Sequence, residues 1–213
     1  MLKTNVKASS VTNLTDARYF AAWEVAWLGF NFDAGSDRYI QPQLMKAIRE
    51  WVDGVKAVGE FNMQAPEEIR AAAELLALDA VQVGMFTDLS ALDSLGLGVP
   101  VIQELVLESV AGLDAAAEQM ARGKASVDIF LLNFDKNGMR WSELLPAERE
   151  RLRLLCREYH ILLSIGLAPG EAASLLEEVA PYGISLQGGD EEKVGFKSFD
   201  ELDDLFEAIE AEE

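Results

Sequence analysis

The chain has 213 residues, 50% hydrophobic and 26% charged, as expected of one globular domain over 1–213 and not of a disordered polymer. Lys and Arg number 18 against 37 Asp and Glu, a formal net charge of −19, which argues against nucleic acid and anionic membrane surfaces as partners. One cysteine, Cys156, and one histidine, His160, exclude an internal disulfide, a multi-cysteine zinc site and a His-rich cage, so no metal or cofactor is expected.

Short apolar runs alternate with longer amphipathic stretches from end to end. In chain order the pattern predicts strand 6–8, helix 16–25, strand 27–32, helix 42–51, strand 55–61, helix 66–76, strand 80–83 and helix 89–95. It continues with strand 99–105, helix 109–122, strand 128–133, helix 143–158, strand 160–164, helix 170–179, strand 183–187 and helix 199–211. Pro66 followed by Glu67 and Glu68 is a strong helix start, Thr87 or Asp88 can cap the fourth helix, and Ser198 the last. Carboxylates in the tail 207–213 oppose the helix dipole and predict fraying. Several strands, 128–132 for example, are nearly continuous apolar runs, as in a parallel sheet covered on both faces. Eight strand–helix units predict an α/β chain folded as a (β/α)₈ barrel, with a doubly wound open sheet as the alternative. No stretch of about 18 apolar residues and no signal-peptide core appears, so the expected address is the cytoplasm.

Three segments carry a resemblance: VKASSVTNLTDARY at 6–19, LGF at 28–30 and SDRYIQP at 36–42. It continues through VGEF at 58–61, PEEI at 66–69, LDAVQ at 78–82 and GFK at 195–197. Together they resemble the phosphoribosylanthranilate isomerase family, whose motifs read K-I-C-G-I/L-T, D-A, L-G-F-x-F and S-x-R-x-I/V-x-P at the same spacing. The resemblance implies a (β/α)₈ barrel whose site lies at the C-terminal strand ends. It also implies an Amadori rearrangement in tryptophan biosynthesis, which opens a furanose ring with an acid and removes the C2 proton with a base.

In the family the base is the cysteine of K-I-C-G and the acid is an aspartate closing the sixth strand. Here those positions hold Ser9 and Asn133. An unassisted serine hydroxyl is a poor base at neutral pH, asparagine has no acidic proton, and each loss typically costs about 10²–10⁴-fold. The substrate-binding positions implied by the resemblance are Lys7, Arg38, Gln82, Gly166, Gly188 and Gly189, with Arg38 on the anthranilate carboxylate. Around them the pattern departs: Ile165 replaces a phosphate-loop glycine, Met85 follows Gln82-Val83-Gly84 without the family's histidine, and the loop after the sixth strand shrinks to Lys136-Asn137-Gly138-Met139.

Ser9 as a nucleophile would need a nearby base, and the expected reading is a small polar strand-end residue. Cys156 and His160 are expected at the end of the barrel away from the site. Thr12 and Asp16 are expected as caps of the first loop and helix. The four tryptophans are expected in core and helix–sheet packing. Glu60 and Glu104 stand near strand ends and could act as a rerouted acid–base pair, although at least one is expected to point outward or into solvent. The reading that follows is a barrel that has lost the isomerase reaction and binds a small anionic or aromatic ligand at its mouth, or a protein partner. Its alternative is an active phosphoribosylanthranilate isomerase, or another isomerase or lyase, using residues such as Glu60 and Glu104. Convergence of Lys7, Arg38, Gln82 and Glu60 on one pocket distinguishes a ligand or substrate site from a plugged scaffold.

Overall fold

The computed structural model describes residues 1–168, 170–188 and 199–211. Its strands are β1 (Asn5–Ser9), β2 (Trp27–Asn31), β3 (Lys56–Phe61), β4 (Ala80–Val83), β5 (Val101–Val106), β6 (Ile129–Asn133), β7 (Ile161–Ser164) and β8 (Gly183–Gln187). They pair in parallel in sequence order, and β8 pairs back onto β1, so the sheet is a closed barrel and not an open one. The helices are α1 (Leu14–Ala22), α2 (Pro42–Arg49), α3 (Pro66–Leu76), α4 (Leu89–Ser94), α5 (Leu113–Gly123), α6 (Pro146–Glu158), α7 (Glu171–Val179) and α8 (Asp200–Ala208).

Strand side chains alternate between faces, and the register sorts them into layers. One set of faces packs outward against the helices, with Val6, Ala8, Leu28, Phe30, Leu132 and Leu163 in the main core. The other set fills the barrel. Its floor is a separate apolar cluster of Trp27, Val58, Ala80, Ile102, Ile129, Leu131 and Leu162. Two residues further along the same strands stand Gly29, Glu60, Gln82 and Glu104, so the interior turns polar toward the C-terminal mouth.

Most boundaries shift by a residue or two, for local reasons. Helix α1 starts before Asp16 because Asn13 caps it: Asn13 Oδ1 accepts the Asp16 N–H at 2.9 Å, so neither Thr12 nor Asp16 is the cap. The predicted helix 109–122 divides into a 3₁₀ turn at Val110–Gly112 and α5. The predicted helix 143–158 begins only at Pro146, which lacks an N–H and biases Leu145 toward extended backbone. Asp88 caps α4 as expected, accepting from the Ala91 N–H at 3.0 Å, whereas Ser198 lies outside the described residues. The predicted helix 199–211 stops at Ala208; beyond it Lys3 N–H donates to Ile209 O at 2.8 Å and Ala211 N–H to Met1 O at 2.9 Å, and residues 212 and 213 lie outside the described residues.

The tryptophans divide four ways. Trp23 stacks on Phe206 and Trp141 is buried beneath the Arg149 guanidinium. Trp27 plugs the barrel floor, and Trp51, contrary to the packing expectation, is 65% exposed with Arg18 over its ring. Among the described residues no helix is long and apolar enough to cross a membrane.

Cys156 and His160 line a cavity of about 310 Å³ together with Val127 and Tyr159, at the N-terminal end of β7, away from the mouth. Burial pushes the Cys156 thiol up to about 12. Near pH 8 such a thiol carries about 10³-fold less thiolate than an ordinary cysteine. An aromatic disulfide reagent at pH 8 is therefore expected to titrate Cys156 rapidly in urea and barely at all in the folded chain. The neutral thiol's contribution to stability is complete below pH about 8.5 and is lost as pH rises toward 12. Replacing Cys156 with Ala should flatten that alkaline decline in a pH series of urea melts.

Candidate active site

The base of the mouth is a buried ion pair. Lys7, inward-facing on β1, is fully buried, and a charge so placed is tolerated only when paired and hydrogen-bonded. Its Nζ donates to Glu60 Oε1 and, at 2.8 Å, to Ser9 Oγ, which in turn lies 2.8 Å from Ser185 Oγ on β8. Glu60, 4% exposed, also accepts the Ser10 N–H at 3.2 and 3.1 Å and the Ser10 hydroxyl at 2.7 Å. Ser10 adopts φ +51°, a left-handed conformation costing an L-residue about 1–2 kcal/mol, and its two hydrogen bonds to Glu60 offset that cost. The pair fits because β2 carries glycine opposite it: a Cβ on Gly29 would sit 2.0 Å from Glu60 Oε1 and 2.8 Å from Lys7 Nζ.

Across the mouth is a second carboxylate cluster. Glu104 Oε1 accepts from Asn133 Nδ2 at 2.7 Å and Oε2 from Lys136 Nζ at 2.9 Å. Asn133 Oδ1 accepts the Lys136 backbone N–H at 3.1 Å. Asn133 thus joins the two, from the strand end where the family's acid stands.

Both clusters open into a cavity of about 360 Å³ lined by Ser9, Arg38, Glu60, Gln82, Glu104 and Lys136, among others. Lys7 lies directly beneath. Of the four residues whose convergence was to decide between ligand site and plug, Arg38, Glu60 and Gln82 line the cavity, whereas Lys7 is fully buried behind Glu60 and Ser9 and does not. Both glutamates face the interior, contrary to the expectation that at least one would point away, because the closed register places Glu60 two residues beyond Val58 and Glu104 two beyond Ile102 on the inward face. Each meets a lysine instead of the other carboxylate. Gln82 lines the cavity at only 7% exposure, and its Oε1 is buried with no donor among the described residues.

A second cavity, of about 570 Å³, lies beyond β7 and β8 and is lined by Ile165, Gly166, Ser185, Asp135, Asp200 and Glu201. Gly166 is committed to the chain itself: its N–H donates to Met139 O at 2.9 Å and its carbonyl accepts from the Trp141 N–H at 2.9 Å. Gly188 is half-buried just past β8, while Gly189 and the segment 195–197 lie outside the described residues. Ser9 touches Lys7 and Ser185, with His160 at the far end of the barrel. Sequence reasoning missed Ser10, Ser185 and Lys136. Ser10 had a readable signal, since it occupies the glycine position of K-I-C-G, while Lys136 stands in the shortened loop after the sixth strand, where the family's motif gives no lysine to look for.

The sequence profile of the N-(5'phosphoribosyl)anthranilate (PRA) isomerase family matches residues 6–208. An N-(5'-phosphoribosyl)anthranilate isomerase of Chlorobium chlorochromatii is 28% identical over 203 residues, covering 92% of each chain. One from Chlorobium luteolum is 28% identical over 218 residues, covering 98% of each. Among solved structures, phosphoribosyl anthranilate isomerase from Thermus thermophilus superposes with a TM-score of 0.71 at 27% identity, covering 96% of this chain and 98% of its own. A second isomerase structure, 26% identical with a TM-score of 0.72 and covering 97% and 98%, is in complex with reduced 1-(o-carboxyphenylamino)-1-deoxyribulose 5-phosphate.

These matches overturn the expectation of a barrel that has lost the reaction. Relatives carrying the isomerase name align along nearly the whole chain. That expectation followed from reading Ser9 and Asn133 one position at a time, whereas carboxylates stand beside both positions in space.

Proposed function

We propose that this chain, which belongs to the N-(5'-phosphoribosyl)anthranilate isomerase family, catalyses that family's rearrangement of N-(5-phosphoribosyl)anthranilate to its 1-deoxyribulose form with relocated acid–base groups. One observation carries the reading: a carboxylate faces the mouth beside each vacated catalytic position. Glu60 shares Lys7 Nζ with Ser9, the base position, and Glu104 hydrogen-bonds Asn133, the acid position.

Glu60 takes the base role. It lines the cavity while Lys7 Nζ and the Ser10 N–H and hydroxyl donate to its two oxygens. Lys7 and Ser10 hold it in a single orientation, which general-base catalysis at a carbon acid requires. The Glu104 cluster, across the mouth, stands where a proton must reach the furanose ring oxygen. Arg38 lines the cavity as the cation for the anthranilate carboxylate, and Gln82 adds a polar side chain to the same wall.

The test is turnover by the purified chain, followed as loss of substrate fluorescence, beside Glu60→Gln. Turnover by the parent and its collapse in the variant are the expected pair, and an inert parent would sink the reading. Arg38→Met is expected to raise KM by about 10–100-fold, the worth of a charged hydrogen bond, with a much smaller change in kcat. Initial rates over a substrate series check this, and an unchanged KM would remove Arg38 from the site.

A further inference from the structure

We infer that the proton delivered to the ring oxygen comes from the Lys136 ammonium, with Glu104 and Asn133 as its positioning residues. The inference rests on the isomerase reading and assigns its acid. Glu104 is surrounded by donors: one oxygen accepts from the Asn133 amide and the other from Lys136 Nζ. Both Glu104 oxygens are thus turned to donors, and an asparagine amide proton is not acidic enough to transfer. Lys136 carries three transferable protons on Nζ, spends one on Glu104, and lines the same cavity as Glu60 with its side chain 54% exposed. It is held at both ends, its backbone N–H by Asn133 Oδ1 and its ammonium by Glu104. The residue at the family's acid position has thus become the anchor of a new acid from the following loop. At neutral pH an ammonium is a weaker donor than a carboxylic acid but is fully protonated.

The proton balance closes. An Nζ–H proton moves to the ring oxygen as the C1–O bond breaks, the oxygen keeping the bonding pair while the nitrogen lone pair forms the C1=N bond. Glu60 then takes the C2 proton, the C–H electrons form C1=C2, and the C=N pair returns to nitrogen. Glu60 gives its proton to C1 as the C2 hydroxyl becomes a ketone, and the hydroxyl proton returns through solvent to the neutral Lys136 amine. Nothing is oxidised or consumed.

The experiment measures kcat and KM with N-(5-phosphoribosyl)anthranilate for the parent, Lys136→Ala and Glu104→Gln, adding ethylammonium or tetramethylammonium. Lys136→Ala is expected to lose about 10²-fold or more in kcat, with KM within about threefold. Ethylammonium should restore activity saturably, more so for amines of lower pKa, whereas tetramethylammonium, equally charged but without a proton, should not. Glu104→Gln should lower kcat without rescue by either. The inference is overturned if Lys136→Ala keeps the parent's kcat, if ethylammonium restores nothing, or if tetramethylammonium restores as much. An inert parent removes the isomerase reading and this acid with it. An active parent with a fully active Lys136→Ala removes only the acid.

Discussion

Glu60→Gln is expected to lower kcat by about 10²–10⁴-fold, the usual cost of a general base. The amide is nearly the same shape and can still accept from Ser10, so the loss reports missing basicity and not a missing side chain. The substitution also leaves Lys7 in the barrel without a counter-charge, and removing one partner of a buried pair costs about 3–5 kcal/mol. Chemistry and stability therefore fall together and must be separated. Lys7→Met combined with Glu60→Gln does so, because it removes the unpaired charge that the single variant leaves buried. The double variant should regain thermal stability while staying inactive. Turnover restored with the fold would show that Glu60 is a structural counter-ion and that another group takes the C2 proton.

Gly29→Ala is expected to destabilise the chain by about 1–3 kcal/mol, the usual cost of overpacking, although it adds one methyl group. In a strand interior, alanine would ordinarily be the better residue. Here the new Cβ would lie 2.0 Å from Glu60 Oε1 and 2.8 Å from Lys7 Nζ, so the ends of both side chains must shift inside a closely packed layer. At roughly 2–4 °C per kcal/mol for a chain of this size, the melting temperature should fall by about 2–12 °C. The same substitution in a Lys7→Met, Glu60→Ala background should cost less than about 1 kcal/mol, because the oxygen and ammonium it strikes are gone. Equal costs in the two backgrounds, read from urea melts, would mean that the glycine serves backbone packing instead.

The barrel was legible because strand burial leaves a strong trace. The run at 128–132 is nearly continuously apolar, as a strand covered on both faces is, and the proline and paired carboxylates at 66–68 mark the start of α3. The vacated catalytic positions were equally plain. What replaced them was not, because the decisive contacts join residues 53 and 29 positions apart. Which face a strand-end glutamate takes depends on the register of the whole closed sheet, and a slip of one residue reverses it. One clue was available: Lys7 and Glu60 each interrupt an apolar strand with a charge, and opposite charges on two covered strands answer one another most cheaply inside the barrel. The left-handed turn at Ser10 had a fainter clue, since serine stands there at the glycine position of K-I-C-G.

The space opposite Glu60 also favours an order of events. A side chain at position 29 and the present Lys7–Glu60 pairing compete for one volume, so the first can grow only as the second shifts. A laboratory lineage starting from this chain should therefore accept substitutions at 29 more readily in clones that have already changed at 60.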